Sequence, residues 1–280
     1  MIRHSKWVNK MLRVMFSKSW LPLTIIAIIA IAGTIRLGIW QLDRLEQRRA
    51  FNSRVTAQLE QPELLLDDDV LGEDLHNMEY REVLVRGVYD HDQEIALRNQ
   101  HWGNQWGVHL VTPLKINNSD FAVLVDRGWI PAEDFDSGDW SRFSEPGIVE
   151  VQGVIRRSKE KADFGSRSDP VPADGEQRLT AWNFVNIDSI SKQVGYPLLP
   201  VYVQQAPDET WTVLPYRSEP DFEITEGPHM GYAIQWFTFA VITAVGYPIL
   251  VQRRIKAKEN SRSQAERISA EVVHDQTMAN

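Results

Sequence analysis

One histidine in this sequence lies where an apolar segment begins, and its near neighbours are aromatic. His229 opens the run HMGYAIQWF. Residues at positions i, i+3, i+4 and i+7 of a helix lie on one face, so His229, Tyr232, Ala233 and Trp236 are expected to share a face. Imidazole is a common ligand of haem iron, and arginine pairs well with propionates. With a cation nearby, such a face suits a haem. The alternative is an aromatic belt at a membrane boundary, in which the histidine has no ligand role.

The cation nearest to an apolar segment is Arg36, which follows a first uncharged run, WLPLTIIAIIAIAGTI. A hydrocarbon core of about 30 Å needs roughly 20 apolar residues, and each segment reaches that length with its flanks. We therefore predict transmembrane helices at residues 20–40 and 228–252. A cleaved signal peptide is the alternative for the first, but no small-residue cleavage site follows it. If the outer ends of both helices meet, His229, Arg36 and the aromatic rings lie at one depth.

Charge around the two segments predicts their orientation. The first 19 residues contain five cations and no acid, and four cations follow the second segment within seven residues, namely Arg253, Arg254, Lys256 and Lys258. Short basic tails stay on the cytoplasmic side, so residues 1–19 and 253–280 are predicted to be cytoplasmic tails. The short N-terminus lacks an amphipathic presequence, which favours a multi-pass protein of a bacterial inner membrane over a mitochondrial precursor.

The central region is acidic and is expected to be exported to the periplasm. Residues 38–228 contain 34 Asp and Glu against 18 Lys and Arg, a net charge of −16, and the whole chain of 280 residues has −8. Such a surface argues against a nucleic-acid partner. The chain has no cysteine, which excludes disulfides, thiolate metal sites and a cysteine nucleophile.

Periodicity divides the central region into a helical part and a β domain. Apolar spacing continues the first helix into residues 41–79, a helical extension and linker that Pro62 interrupts. From residue 80 to residue 227 the alternation is that of short strands. A set of about seven short strands and a short helix from Asp188 favour a mainly antiparallel barrel or sandwich with minor helix. We expect a mobile loop over Glu160–Arg178, which is polar and rich in Gly and Pro. The predicted strand segments are YREVLVRGVYD, EIALRNQ, WGVHLVTPLKI, FAVLVDRGWIP, IVEVQGVIRRS, LTAWNFVNI with LPVYVQQ, and WTVLPY.

The remaining histidines give weaker signals. The triplet Asp90-His91-Asp92 lies between two predicted strands, which favours a turn over a metal or acid–base cluster. His101 and His109 bracket WGNQWGV and are expected on a loop and on a strand face. The sequence contains no fingerprint of a hydrolase, a zinc protease or a nucleotide-binding fold. We therefore expect a protein that is not an enzyme.

Five motifs in order resemble the surfeit-locus (Surf/Shy) family of cytochrome c oxidase assembly proteins. They are LGIWQLDRLEQR after the first apolar run, YREVLVRGVYD, GVHLVTPL, VLVDRGWIP and HMGYAIQWF. Each motif alone is modest, but their order and the two-span layout are specific. The resemblance covers roughly residues 37–251.

The resemblance implies an assembly factor for a haem–copper terminal oxidase, which helps to deliver haem a to the catalytic subunit. Its implied partners are that subunit, haem a synthase and the lipid bilayer. It also implies that His229 is the ligand of the haem iron and that Trp236 belongs to the same motif. A scaffold without a cofactor, which stabilises the catalytic subunit during assembly, remains the alternative.

Other positions match the family motifs without an implied chemical role, and for most of them a structural role is expected. Gly87 and Gly128 are predicted to permit bends or close packing in strands. Arg127 with Trp129 is either a surface for a partner or a cation held inside the barrel. The remaining matches are Trp40, Gln41, Arg44, Tyr80 and Arg81.

Overall fold

The computed structural model describes residues 2–67, 73–159, 169, 178–208, 210–220 and 223–278. It divides the chain into a helical unit, Met1–Phe51 with Thr225–Asn280, and a barrel unit, Asn52–Ile224. Apart from Asp169 and Arg178, the loop predicted over Glu160–Arg178 lies outside the described residues.

Three helices form the helical unit, α1 (Ile2–Met15), α2 (Leu21–Leu59) and α5 (His229–Met278). The predicted apolar helices are confirmed, because α2 and α5 are each long and apolar enough to cross a membrane. Most of their apolar side chains point outward; Ile29 is 64% exposed and Val241 is 61% exposed. A helix of a soluble core buries such side chains instead.

Both predicted tails contain helix. Residues 1–19 contain α1, and α5 continues through residues 253–278 without a break. The second continuation has a simple cause, since KAKENSRSQAERISAEVV is rich in Ala, Lys, Glu, Arg and Gln, which favour helix. The predicted helical extension is confirmed, because α2 ends at Leu59.

The first half of α2 has one buried stripe, which we call the interhelical seam. Between Leu21 and Gln47, every residue outside this stripe is exposed. Its members repeat at alternating spacings of three and four, the pattern of a helix that packs along one partner helix. They are Thr24, Ala27, Ile31, Thr34, Gly38, Gln41 and Leu45.

The seam packs against α5 in antiparallel orientation. At one end the Tyr247 hydroxyl lies 2.6 Å from Thr24 Oγ1. At the other end Gln41 Oε1 lies 2.8 Å from His229 Nδ1. Between them the ring of Phe237 lies so close to Gly38 that a Cβ atom there would approach it to 2.8 Å. The chain termini therefore lie at one end of the helix pair, and His229 lies at the other.

Eight strands form the sheet of the barrel unit. They are β1 (Leu64–Leu65), β2 (Glu82–Tyr89), β3 (Ile95–Trp102), β4 (Gln105–Ile116), β5 (Ala122–Pro131), β6 (Ile148–Arg157), β7 (Ala181–Trp182) and β8 (Leu198–Gln205). Their order is β1-β2-β6-β8-β5-β4-β3-β7, and β2 also pairs with β4. This last pairing joins β2, β6, β8, β5 and β4 into a closed ring. Short helices α3 (Ala132–Asp136) and α4 (Ile187–Ser191) complete the unit.

The predicted barrel architecture is therefore confirmed, with two corrections. Residues 211–216, WTVLPY, are not a strand and contribute only an isolated bridge between Trp129 and Tyr216; Pro215 has no N–H to donate to a ladder. Of LTAWNFVNI, only Ala181–Trp182 is extended, and α4 begins at Ile187. The sheet is mainly antiparallel, as predicted, although β5 pairs with β8 in parallel.

The barrel unit contains buried charged side chains beside its apolar core. Arg127 is fully buried and donates to Glu94 at 2.7 Å and to Glu145 at 2.8 Å. Its guanidinium carbon also lies 4.9 Å from the centre of the Tyr89 ring. Of the two roles predicted for Arg127, the cation held in the barrel is confirmed. The apolar core includes Val83, Val85, Leu114, Val125, Val151, Ile155 and Val203.

Two glycines in the strands have the roles that the sequence analysis predicts. A side chain at Gly87 would collide with the carbonyl oxygen of Lys115 on β4. Gly128 has φ of +117° and lies against the backbone of Tyr216, a conformation that residues with a Cβ atom rarely adopt. The triplet Asp90-His91-Asp92 is confirmed as a turn, since a short 3-10 helix spans His91–Gln93.

Replacing Arg127 with Met will destabilise the barrel by about 3–5 kcal/mol, because Glu94 and Glu145 then lose their buried counter-charge. The measurement is chemical unfolding of the full-length protein in detergent, followed by tryptophan fluorescence. Arg86→Gln is the control, since Arg86 pairs with Glu150 at an exposed site and its loss is expected to cost less than about 1 kcal/mol. Equal losses of stability in the two variants would contradict a stabilising role for the ion pairs of Arg127 with Glu94 and Glu145.

His109 gives the barrel a predictable pH dependence. Burial opposes its charged form, but the charge and hydrogen bond of Asp126, at 2.9 Å, outweigh burial and raise the pKa of His109 above its usual 6.5. A raised pKa contributes stability below the unfolded-state value, and this contribution is lost as pH rises through the folded-state value. The stability difference between the unaltered protein and His109→Gln should therefore shrink on raising the pH above about 6.5. A difference that grows with pH would contradict this.

Replacing Gly38 with Ala will disturb the packing of α2 on α5, because the added methyl group meets the Phe237 ring. Gly33→Ala is a matched control in the same apolar run, since nothing lies within 4 Å of its Cβ position. Overpacking costs about 1–3 kcal/mol, whereas Ala at an exposed helical position is favourable. Thermal unfolding in detergent should show a lower midpoint for Gly38→Ala only. A lower midpoint for both variants would show that the seam is not responsible.

Candidate functional site

The candidate site lies where α5 begins. Gly227 has φ of +65° and turns the chain, and the carbonyl of Pro228 accepts the first helical hydrogen bond, from Tyr232 N at 3.1 Å. The sequence analysis predicts Pro228 as the first helical residue, whereas the helix begins at His229. The turn thus places His229 in the first turn of α5, beyond the apolar run that starts at Ile234.

The hydrogen bond between His229 and Gln41 joins the two helices and orients the imidazole. Gln41 is buried in the seam, with 9% of its surface exposed. Its amide oxygen lies 2.8 Å from His229 Nδ1. Because an amide oxygen can only accept, this contact requires the tautomer with the proton on Nδ1, which leaves the lone pair of the neutral ring on Nε2. Fixing one ring nitrogen in this way is how proteins prepare the other as a metal ligand.

The edge of the imidazole that carries Nε2 faces Gly227. A Cβ atom at Gly227 would lie 3.6 Å from Nε2, so the absence of a side chain there leaves this edge uncovered on the Gly227 side. His229 itself is half-buried. The ring is therefore held at Nδ1, and no side chain at position 227 covers Nε2.

The structure brings only one other predicted site residue to the seam side of α5. Trp236 is half-buried two turns after His229, and its ring meets Phe239 edge-on at 5.9 Å. Tyr232 is 48% exposed and lies off the buried stripe, which continues through Ala233.

Arg36 is not brought to His229. It is exposed and precedes Gln41 by five residues, which places it about 140° around α2 and roughly 7.5 Å along its axis. Because Gln41 faces α5, Arg36 points away from the seam. Arg36 therefore does not converge with the imidazole as predicted, whereas Trp236 lies on the same face of α5 as His229.

Three arginines that the sequence analysis did not select lie further along α2. Arg44 is one turn beyond Gln41, and its guanidinium carbon lies 5.7 Å from the centre of the Trp40 ring. Arg48 donates to the carbonyl of Thr225 at 3.0 Å. Arg49 makes two hydrogen bonds to Glu226, at 2.7 and 2.9 Å, which raise the pKa of Arg49 and lower that of Glu226. Arg48 and Arg49 thus hold the segment that leads into α5.

The donor set limits what the site can bind. Across the described ranges, no three His, Asp or Glu side chains cluster as ligands of a metal ion. One oriented imidazole cannot hold a bare cation by itself, but it is sufficient as an axial ligand of a haem, whose porphyrin supplies the other nitrogens. The site therefore fits a haem better than a metal ion.

The histidines of the barrel already have structural partners. His91 Nε2 accepts from the backbone N–H of Glu145 at 3.2 Å. His109 pairs with Asp126, and the ring of His101 lies 3.7 Å from that of Trp106. These contacts agree with the structural roles predicted for His91 and His109, whereas His101 lies in β3 and not on the predicted loop.

The chain is similar to proteins of known family over most of its length. A SURF1-like protein of Caenorhabditis briggsae is 24% identical over 231 residues, covering 76% of this chain and 70% of the relative. The Surfeit locus protein 1 of Rattus norvegicus is 24% identical over 232 residues, with 76% and 70% covered. The human Surfeit locus protein 1 is 24% identical over 228 residues, with 74% and 70% covered.

The family model described as SURF1 family matches residues 28–241. This range includes most of the first apolar helix, the whole barrel, Gln41 and His229. The resemblance seen in the sequence motifs is confirmed, and the chain belongs to the SURF1 family.

Proposed function

We propose that this protein is a membrane-embedded assembly factor for a haem–copper terminal oxidase and that it assists delivery of haem a to the catalytic subunit. Membership of the SURF1 family, whose members are known generally as cytochrome oxidase assembly factors, supports the assembly role. The observation that carries the haem role is the hydrogen bond between His229 Nδ1 and Gln41 Oε1, which leaves Nε2 free.

The antiparallel helix pair supports a placement in the membrane. We propose that α2 and α5 span the bilayer, since both expose long apolar faces. Both basic ends then lie on one side, which the positive-inside rule assigns to the cytoplasm. The acidic central domain is on the opposite side, which corresponds to the periplasm if the membrane is a bacterial inner membrane.

In this proposal His229 Nε2 would hold haem a by binding its iron. Gln41 keeps the proton on Nδ1 and thereby keeps Nε2 unprotonated. Trp236 would contribute its indole ring to the apolar surface beside the haem. Arg44 is better placed than Arg36 to meet a propionate, because it lies only about 60° around α2 from Gln41.

A single protein ligand suits transfer of a haem rather than permanent storage. Each protein–iron bond that holds the group must break when the catalytic subunit takes it. We propose that the catalytic subunit is the recipient and that haem a synthase is the source, so both are partners. No catalytic step is assigned to this chain.

A scaffold without a cofactor is the second candidate, and the same hydrogen bond favours it. A polar contact between two membrane helices also holds them together, at about 0.6–2 kcal/mol. In that case His229 and Gln41 only fix the helix pair, and the protein stabilises the catalytic subunit through its surfaces.

The two candidates predict different spectra. Full-length protein purified from cells that make haem a should show a Soret band, which His229→Ala removes. Gln41→Ala should weaken haem affinity by about 10–100-fold, as loss of a group that orients a ligand does. His101→Ala is the matched control and should leave the spectrum unchanged.

An unchanged haem content in His229→Ala would reject His229 as the ligand. If the unaltered protein carries no haem while the oxidase still matures with its full haem content, the scaffold is correct. Co-purification of the catalytic subunit with His229→Ala measures the assembly role separately from haem binding.

A further inference from the structure

We propose that a basic cleft at the terminal end of the helical unit binds the phosphate headgroup of an anionic membrane lipid. The cleft has a volume of about 520 Å³ and lies between α1, the turn after it and α5. Five cations line it against one acid, Glu259. These cations are Lys10, Arg13, Arg254, Lys258 and Arg262.

Several contacts hold the two walls of this basic cleft together. Thr24 Oγ1 donates to the carbonyl of Met15 at 2.7 Å and accepts from the Tyr247 hydroxyl at 2.6 Å, which ties the end of α1 to both long helices. Lys10 on α1 forms an ion pair with Glu259 on α5. The cleft is thus part of the folded unit rather than a chance alignment of two tails.

The charge inside the basic cleft is largely uncompensated. Glu259 is occupied by Lys10, and Arg262 pairs with Glu266 at 2.9 Å. Among the residues that the structure describes, Arg13, Arg254 and Lys258 form no ion pair. Three cations on facing helices therefore remain available, in a chain whose net charge is −8. Basic pockets beside membrane helices are typical sites for anionic headgroups.

The position of the basic cleft at the ends of the two apolar runs, together with its apolar wall, favours a lipid over free phosphate. Arg254 follows the apolar run of α5, and Trp20 precedes the apolar run of α2. Tryptophan is enriched at the membrane–water boundary. Val14, Trp20 and Ile255 line the cleft beside the cations. An apolar wall can accommodate the glycerol and upper chains of a lipid, whereas inorganic phosphate gains nothing from it.

This inference rests on the proposed membrane placement of α2 and α5, but not on haem binding. It adds a lipid that contacts α1 and α5 at the end of the helix pair opposite His229. A headgroup bound by both helices would link them at the membrane surface, where the seam ends.

The test measures lipid binding to the full-length protein in neutral detergent by native mass spectrometry, with phosphatidylglycerol and phosphatidylcholine of the same acyl chains as probes. We expect a preference for phosphatidylglycerol. The triple variant Arg13→Gln, Arg254→Gln and Lys258→Gln should lower that affinity by about 100-fold, since each cation near a surface contributes about fivefold. A matched variant, Lys18→Gln, Arg253→Gln and Lys256→Gln, removes the same charge outside the cleft and should change the affinity by less than about fivefold.

Three results would overturn the proposal. They are equal losses in the two triple variants, equal binding of both lipids by the unaltered protein, and displacement of the lipid by an equal concentration of inorganic phosphate. The last would identify free phosphate as the ligand. Resistance of each variant to alkaline extraction from membranes measures insertion separately, and the Soret band measures haem binding separately.

Discussion

The antiparallel packing of α2 on α5 is the constraint on which the candidate site depends. The two helices meet along the interhelical seam, which is made of small and polar residues apart from Ile31 and Leu45. Gly38 admits the Phe237 ring, and Thr24 and Gln41 make polar contacts at the two ends. In the proposed membrane placement no hydrophobic driving force acts between the helices, so close packing and these hydrogen bonds hold the pair.

The same packing explains how a half-buried histidine can be both structural and functional. An imidazole at the end of an isolated helix has no fixed tautomer or direction. Gln41 supplies both by accepting a hydrogen bond from Nδ1, and Gly227 places no side chain over the opposite edge. The interaction that ties the helices together therefore also orients the ring for the proposed ligand role.

A different constraint acts in the barrel unit, where the backbone groups at the strand edges need hydrogen-bond partners. The pairing of β2 with β4 closes five strands into a ring. Within it Arg127 is held by Glu94, Glu145 and the Tyr89 ring, so the cost of burying a charge is offset by several partners.

Much of this architecture is readable from the sequence, because apolar runs and strand alternation are local signals. The two apolar helices and six strands lie close to where the pattern puts them. Parallel pairing of β5 with β8, and the short strand β1, depend on contacts between segments far apart in sequence, which no local pattern contains. WTVLPY has the composition of a strand, but tertiary context gives it only one bridge.

The candidate site shows the same division. His229 and Trp236 follow from helical periodicity. The role of Gln41 depends on the register between two helices, since Gln41 and His229 are 188 residues apart in sequence. Periodicity does not contain this register. The alternating three- and four-residue spacing of the interhelical seam nevertheless marks the face on which Gln41 lies. Arg36 follows the first apolar run and is expected at the same membrane depth as His229. The rotation of the helix nevertheless turns it away from α5.

The register between α2 and α5, in which Gln41 faces His229, can be tested directly by cross-linking. Because the chain has no cysteine, pairs of cysteines introduced into the full-length protein in membranes can be cross-linked with a short bifunctional thiol reagent without background. We expect rapid intramolecular cross-linking between Gln41→Cys and His229→Cys and little between Arg36→Cys and His229→Cys. Equal rates for the two pairs, or a faster reaction at Arg36, would contradict it.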